Sequence, residues 1–201
     1  MRKAIHHLKK ADGVLGAIIQ RVGPFKMEYR EPTFQVLVRS IVYQQLSGKA
    51  ALTIFMRLKK AAKTEPLTPE SILKLRPAKM RALGLSQQKA SYIRELARLT
   101  RAGELVFEHL PALEDAEVIE RLTRVKGVGA WTAHMFLIFA LRRPNVLPVG
   151  DLGVRVAIKK AYGLAELPKP AEIERLAEPW HPYCSVASWY LWRSLENQGG
   201  I

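Results

Sequence analysis

Val125-Lys126-Gly127-Val128-Gly129-Ala130-Trp131-Thr132-Ala133, followed by Leu147-Pro148-Val149-Gly150-Asp151, is the most informative part of the chain. Two glycines one residue apart let a tight hairpin take φ > 0 without a Cβ penalty and bring bare backbone amides to the surface. A helix opens directly after them, near Ala130, so its unpaired N–H groups and positive end add to the attraction for an anion. A backbone grip for phosphate coupled to one acid, Asp151, points to DNA and to chemistry on it. Blander readings stand beside this one. Gly-x-Gly turns also serve as helix C-caps, and an Asp ahead of Leu152-Gly153-Val154 makes a good helix N-cap.

Around the hairpin the chain reads as short helices joined by short turns. No stretch sustains a two-residue alternation, so the predicted class is all-α. Val14, Ile18 and Val22 recur on one face of an early helix that ends at Gly23-Pro24, and Phe34, Leu37, Val38, Ile41 and Val42 make a strongly apolar second one. Ser47 reads as the N-cap of a helix running to about Ala62, and Thr68-Pro69 as an N-cap with proline at the first helical position. Gly84 and Ser86 close one helix and cap the next, which carries Ile93, Leu96 and Leu99. Ala130 to Leu141 is apolar nearly all round, as a central buried helix would be. A helix from about Leu152 to Tyr162, closed by Gly163, is followed by a Pro-bounded stretch and a last helix from about Ser185 to Glu196.

The 201 residues are 48% hydrophobic and 25% charged, ordinary values for a globular protein with a real core. There are 32 Lys and Arg against 18 Asp and Glu, a formal net charge of +14 that favours a polyanionic partner. No apolar run reaches the roughly 18 residues of a spanning helix, and the N-terminal residues lack the apolar core of a signal peptide, so a membrane role is not expected and an intracellular location is. Cys184 is the single cysteine, which excludes an intramolecular disulfide and any four-cysteine zinc or iron–sulfur site. The five histidines show no ligand spacing, so no catalytic transition metal is expected.

Leu122, Val125, Gly127, Val128, Gly129, Thr132 and Ala133 match the helix-hairpin-helix pattern in order and spacing. With Arg39-Ser40-Ile41-Val42-Tyr43-Gln44-Gln45-Leu46-Ser47, Leu83-Gly84-Leu85-Ser86 with Lys89, Leu147 to Val154, and Trp180 to Trp192, the chain resembles the helix-hairpin-helix DNA glycosylase superfamily. Within it, the likeness over residues 30 to 195 is to the 3-methyladenine DNA glycosylase II branch, in the compact form without an N-terminal β-rich domain. The resemblance implies two helical lobes. Residues 35–141 form one, bearing the hairpin, and residues 1–34 with 142–201 form the other; the active cleft lies between, with Asp151 at its mouth. It also implies a monomer acting on double-stranded DNA that contains alkylated bases, associated with DNA in the cytoplasm or nucleoid of a bacterium or the nucleus of a eukaryote.

The matched Asp of the family faces the flipped nucleotide, where a carboxylate stabilises the oxocarbenium-like sugar and helps place the attacking water. That role falls to Asp151. Members that also cleave the strand carry a lysine two residues after the second hairpin glycine, because only an amine can form a Schiff base with the sugar. This chain has Trp131 there, which implies base excision alone; Lys126, inside the turn, is left to phosphate neutralisation. Trp131, Met135, Trp192 and Tyr43 are the implied base pocket, where a cationic alkylated base stacks on indole, although Trp and Met at helical spacing are commonly core. Trp180 and Trp189 are assigned to the core.

Gln45 is the implied wedge and Gln44 a neighbouring contact in the minor groove, while Ser86 and Lys89 are candidates for a second phosphate contact, besides Gly127, Val128, Gly129 and Thr132 at the hairpin. Hairpins of the family often hold a structural Na+ or K+ on backbone carbonyls, here those of Thr123, Val125 and Val128. No cofactor and no iron–sulfur cluster is implied. The chain departs from the family pattern at Cys184, where an Arg is common, at Tyr43, where a small residue is typical, and at Met135, where some relatives carry an aromatic. Two other readings of the same features are a noncatalytic protein that binds distorted DNA and a strand-cleaving glycosylase.

Overall fold

The computed structural model describes residues 1–196, so residues 197–201 of the expected 142–201 segment lie outside the described residues. Among the described residues there is no strand, as the all-α class requires. In chain order the helices are α1 (Arg2–Ala11), α2 (Gly13–Val22), α3 (Phe34–Tyr43), α4 (Gly48–Ala62), α5 (Pro69–Lys74), α6 (Pro77–Ala82), α7 (Gln87–Arg101), α8 (Asp115–Thr123), α9 (Ala130–Phe139), α10 (Leu152–Ala161), α11 (Pro170–Ala177) and α12 (Cys184–Glu196). The chain divides into two compact units: Met1–Tyr29 with Leu137 onward, and Arg30–Phe136.

The unit made from both ends of the chain is built around α2, α10 and α12, with Trp180, Tyr190 and Leu191 fully buried at its centre. Asp12 organises its first turn. One carboxylate oxygen caps α2 by accepting the Leu15 N–H at 3.0 Å, and the other receives the Tyr162 hydroxyl and the Trp180 indole N–H, the latter at 2.8 Å. A half-buried acceptor with three donors ties the α1–α2 turn to α10 and to the segment before α12. The buried stripe of α2 is Leu15, Ile18 and Ile19, not the Val14, Ile18 and Val22 face read from the sequence; Val14 is 37% exposed. The stripe is rotated because α1, which the sequence reading did not separate from α2, packs across it.

In the other unit α3 and α7 pack with α4, α5 and α6 around Leu37, Val38, Ile41, Ile72, Met80, Ile93 and Leu96. Phe107 links Phe34 and Phe136 by ring contacts at 6.4 and 6.0 Å. The caps sit where the sequence put them. Ser47 accepts from Ala50, Thr68 forms a capping box with Ser71, and Ser86 accepts from Lys89. The acidic Glu114–Glu117 segment turns out to be the first turn of α8, where a capping box and the positive helix end stabilise it. Helix α9 stops at Phe139 rather than Leu141, because Arg142 takes a left-handed φ of 57° and the Arg143 N–H returns to the Leu137 carbonyl at 2.9 Å, which turns the chain off the helix axis.

Candidate active site

The hairpin lies between α8 and α9. Its turn is closed by the Val128 N–H on the Val125 carbonyl at 3.0 Å, and both valines are buried, so the turn hangs on an apolar root. Gly127 alone has a positive φ, 83°; the expected left-handed conformation at both glycines is corrected to one. Gly127 also has a neighbour: a Cβ there would come within 2.0 Å of the Tyr92 ring on α7. A Cβ on Gly129 would meet nothing within 4 Å. Gly129 instead opens α9 by accepting the Ala133 N–H at 3.1 Å, while the amides of Gly129 and Ala130 have no partner among the described residues and sit on the surface. Exposed, unpaired amides at the positive end of a ten-residue helix are an anion site in waiting.

The turn after α3 is fastened to this hairpin. Gln44 Nε2 donates to the Gly127 carbonyl at 2.8 Å and reaches Thr132 Oγ1 at 3.4 Å. Lys89 Nζ donates to the carbonyls of Val42, at 2.8 Å, and of Gln44, and burial holds its ammonium below the usual lysine range. Gln45, at the tip, takes a left-handed φ of 54° and is exposed. Next to it Leu46 is 40% exposed, and beyond the hairpin Trp131 is 47% exposed, large apolar groups that the core does not use. Tyr43, Gln45, Trp131 and Thr132 line an open hollow of about 340 Å³. The Tyr43 ring is covered on one face by the Arg39 guanidinium, 3.8 Å from its centroid. A larger hollow of about 470 Å³ along α7, against Leu73, Arg81 and Arg94, involves none of the predicted site residues.

In the other unit, Pro148 to Gly150 turn the chain so that the Asp151 N–H meets the Pro148 carbonyl at 2.9 Å, and Asp151 caps α10. The cap and the acid are one residue: Asp151 is only 7% exposed, and its Oδ1 accepts the Val154 N–H at 2.8 Å and the Trp192 indole N–H at 2.7 Å. Trp192 is in turn stacked on Phe139, centroids 5.7 Å apart at 23°. The carboxylate is therefore held by a helix N-terminus and an anchored indole, which fix its direction. The loop leading to it is pinned by buried Ser185, which accepts the Val146 N–H at 2.9 Å and donates to the Arg143 carbonyl at 2.6 Å.

The family model described as HhH-GPD superfamily base excision DNA repair protein matches residues 38–182, a span that holds both the hairpin and Asp151. The chain belongs to that superfamily. Among HhH-GPD relatives, DNA-3-methyladenine glycosylase 1 of Schizosaccharomyces pombe is 34% identical over 96% of this chain and 87% of its own length. The putative DNA-3-methyladenine glycosylase YfjP of Bacillus subtilis is 30% identical over 98% of this chain and 70% of its own. The solved structure of the S. pombe 3-methyladenine DNA glycosylase Mag1 in complex with abasic DNA superposes with a TM-score of 0.84 at 36% identity, covering 94% of this chain and 95% of that one. A 3-methyladenine glycosidase from Bacillus halodurans gives 0.85 at 35% identity, over 95% of this chain and 88% of that one.

Within the HhH-GPD frame the structure sorts the predicted residues. It brings Tyr43, Gln44, Gln45, Gly127, Gly129, Trp131 and Thr132 around one hollow, and pairs Asp151 with Trp192. Met135 is half-buried on α9, one turn beyond Trp131. Three residues expected as direct DNA contacts also have protein partners. Thr132 is buried with its hydroxyl toward Gln44, Val128 commits its N–H to the turn, and Lys89 straps the end of α3 rather than standing in solvent. Ser86 spends its hydroxyl on capping α7, and Lys126 is exposed on the turn. Trp180 and Trp189 are core. Sequence reasoning passed over Tyr92, Leu46 and Gly153. For Leu46 a signal existed, an apolar residue ahead of the Ser47 cap, whereas the other two contacts are tertiary. Among the described residues no group of three or more His, Cys, Asp or Glu could hold a metal, and no helix is long and apolar enough to cross a membrane.

Proposed function

We propose that this chain is a monofunctional DNA glycosylase that hydrolyses the N-glycosidic bond of alkylated bases, of the 3-methyladenine and 7-methylguanine type, in double-stranded DNA, as the first step of base excision repair. The observation that carries the reading is Asp151: a nearly buried carboxylate, aimed by the α10 N-terminus and by Trp192, in a chain of the HhH-GPD superfamily. The amides of Gly129 and Ala130 take a backbone phosphate, and Gln45 with the exposed Leu46 fills the gap that the flipped nucleotide leaves, since apolar wedges unstack base steps. As the C1′–N bond breaks, its electron pair leaves with the base and positive charge grows on the sugar; Asp151 stabilises that charge and orients the water whose oxygen bonds to C1′. The products are free base and an abasic site. An abasic strand is what the similar S. pombe enzyme was captured with.

Trp131, Tyr43, Met135 and Trp192 serve as the stacking surfaces for a cationic base. Position 131 holds no amine, so no Schiff base forms and the strand is left intact. The protein works as a monomer on cellular DNA and requires no cofactor. Carbonyl oxygens suit a monovalent cation, and Val125 keeps a lone pair beside its bond to Val128; with Thr123 and Val128 it would hold Na+ or K+ and stiffen the hairpin.

Release of free methylated base from alkylated duplex, followed by chromatography, tests the assignment. The expected results are release by the native protein, loss of release with retained DNA binding in Asp151→Asn, and no adduct on borohydride trapping. Binding without release by the native protein would leave only a protein that recognises damaged DNA.

A further inference from the structure

We infer that Gly153 is a positioning residue for the acid: its missing side chain is the space through which Trp192 reaches Asp151. This rests on the reading of Asp151 as the catalytic carboxylate. Gly153 lies in the first turn of α10. Helix propensity disfavours glycine there, and no positive φ calls for one, since Gly153 is not among the glycines with left-handed backbone. The reason lies in what a side chain would strike. A Cβ at this position would come to 2.9 Å from Trp192 Cδ1, 3.1 Å from Asp151 Oδ1 and 3.2 Å from Trp192 Nε1. These are the two partners of the 2.7 Å bond from the indole to the carboxylate, both at once.

Both partners are held by other contacts. The indole is stacked on Phe139 at 5.7 Å, and Oδ1 is held by the Val154 N–H at 2.8 Å within the same helical turn. A rigid ring cannot deflect a few tenths of an ångström without moving as a whole, so a methyl group at position 153 displaces the indole, the carboxylate or both. The carboxylate then loses its aim. Because catalysis by a fixed charge depends on where that charge points when the bond breaks, the loss falls on the chemical step rather than on DNA binding.

The test is Gly153→Ala, Trp192→Phe and the double variant, with Asp151→Asn alongside. Gly153→Ala is expected to lower kcat for base release at least about tenfold with KM changed less than about twofold. Its Tm should fall by no more than a few degrees, because the helix propensity of alanine offsets part of the cost of displacing the indole. The Trp192 indole N–H resonance, assigned through Trp192→Phe, is expected to shift in Gly153→Ala. Phenylalanine at 192 has already lost the bond, so adding Gly153→Ala there should cost less than it does in the native protein. An unshifted indole resonance, or a full Gly153→Ala effect persisting beside Phe at 192, overturns the inference. Base release that survives Asp151→Asn overturns instead the reading of Asp151, whatever position 153 does.

Discussion

Gln44 Nε2 and the carbonyl of Gly127 are joined by a 2.8 Å hydrogen bond across 83 residues of sequence. The same amide group reaches Thr132 Oγ1 on α9, and the carbonyl of Gln44 receives Lys89 from α7. The α3–α4 turn and the hairpin are therefore one construction. Under the proposed function, a phosphate on the hairpin amides would bear, through Gln44, on the segment that carries Gln45 and Leu46, and the grip on the strand and the wedge would move together.

Gln44→Ala removes the link without adding bulk. We expect DNA affinity to fall about tenfold, the equivalent of one good hydrogen-bonded link, with Tm lowered by only a few degrees. Gln44→Glu should bind DNA worse still, since a carboxylate would face the Gly127 carbonyl and add negative charge beside the phosphate site. Fluorescence anisotropy with a duplex containing an abasic analogue reads both; equal affinity for Gln44→Ala and the native protein would remove Gln44 from the hairpin's support.

Lys89 separates two roles that look alike in sequence. A phosphate ligand contributes to the salt dependence of DNA binding, about one unit of slope per contact, whereas a strap on two carbonyls contributes to stability. Lys89→Met is expected to lower stability by about 1–3 kcal/mol, because the carbonyl of buried Val42 loses its donor, and to leave the slope of affinity against salt concentration unchanged. A slope reduced by about one with unchanged denaturant midpoint would make Lys89 a phosphate contact after all.

What could be read from the sequence is what short-range rules govern. Ser47, Thr68, Ser86 and Asp151 were recognisable as caps because a side-chain oxygen ahead of an apolar repeat has one local use. The apolar run of α3 and the Gly127 turn were legible for the same reason. Helices α1 and α11 were not separated out: each buries only two residues, Ala4 and Leu8 or Ile173 and Ala177, too sparse a stripe to show a period. The bracing of the hairpin by Gln44, Lys89 and Tyr92, and the clearance at Gly153, depend on residues tens of positions apart meeting in space. No spacing rule reports such meetings, and so the protein partners of Lys89 and Thr132 were not legible.

The two hairpin glycines should respond differently. Gly127→Ala meets a left-handed φ of 83° and the Tyr92 ring 2.0 Å from the new Cβ, so it is expected to destabilise the protein by about 2 kcal/mol or more and to weaken DNA binding with it. Gly129→Ala strikes no protein atom. Its Tm should match the native protein while DNA affinity drops severalfold, since the Cβ would stand where a phosphate approaches. Chemical denaturation together with anisotropy distinguishes the cases. Full affinity in Gly129→Ala would mean that the strand does not come close to this amide.

Cys184 gives a pH-dependent expectation. The thiol is fully buried, and burial pushes it up to about 12 from an ordinary 9.0. In the folded protein it stays protonated at physiological pH, and only the thiolate is strongly nucleophilic. Native protein should therefore leave an aromatic disulfide reagent unreacted at pH 8 and consume it stoichiometrically once unfolded in guanidinium. The same displacement sets a sign for stability. Between pH 9 and 12 the unfolded chain loses this proton and the folded one keeps it, so stability attributable to Cys184 is complete below 9 and is lost as pH rises towards 12. Cys184→Ala removes that dependence, at the cost of a small cavity. Its denaturant midpoint should thus fall less steeply than the native protein's over this range, and parallel curves for the two proteins would contradict the shift.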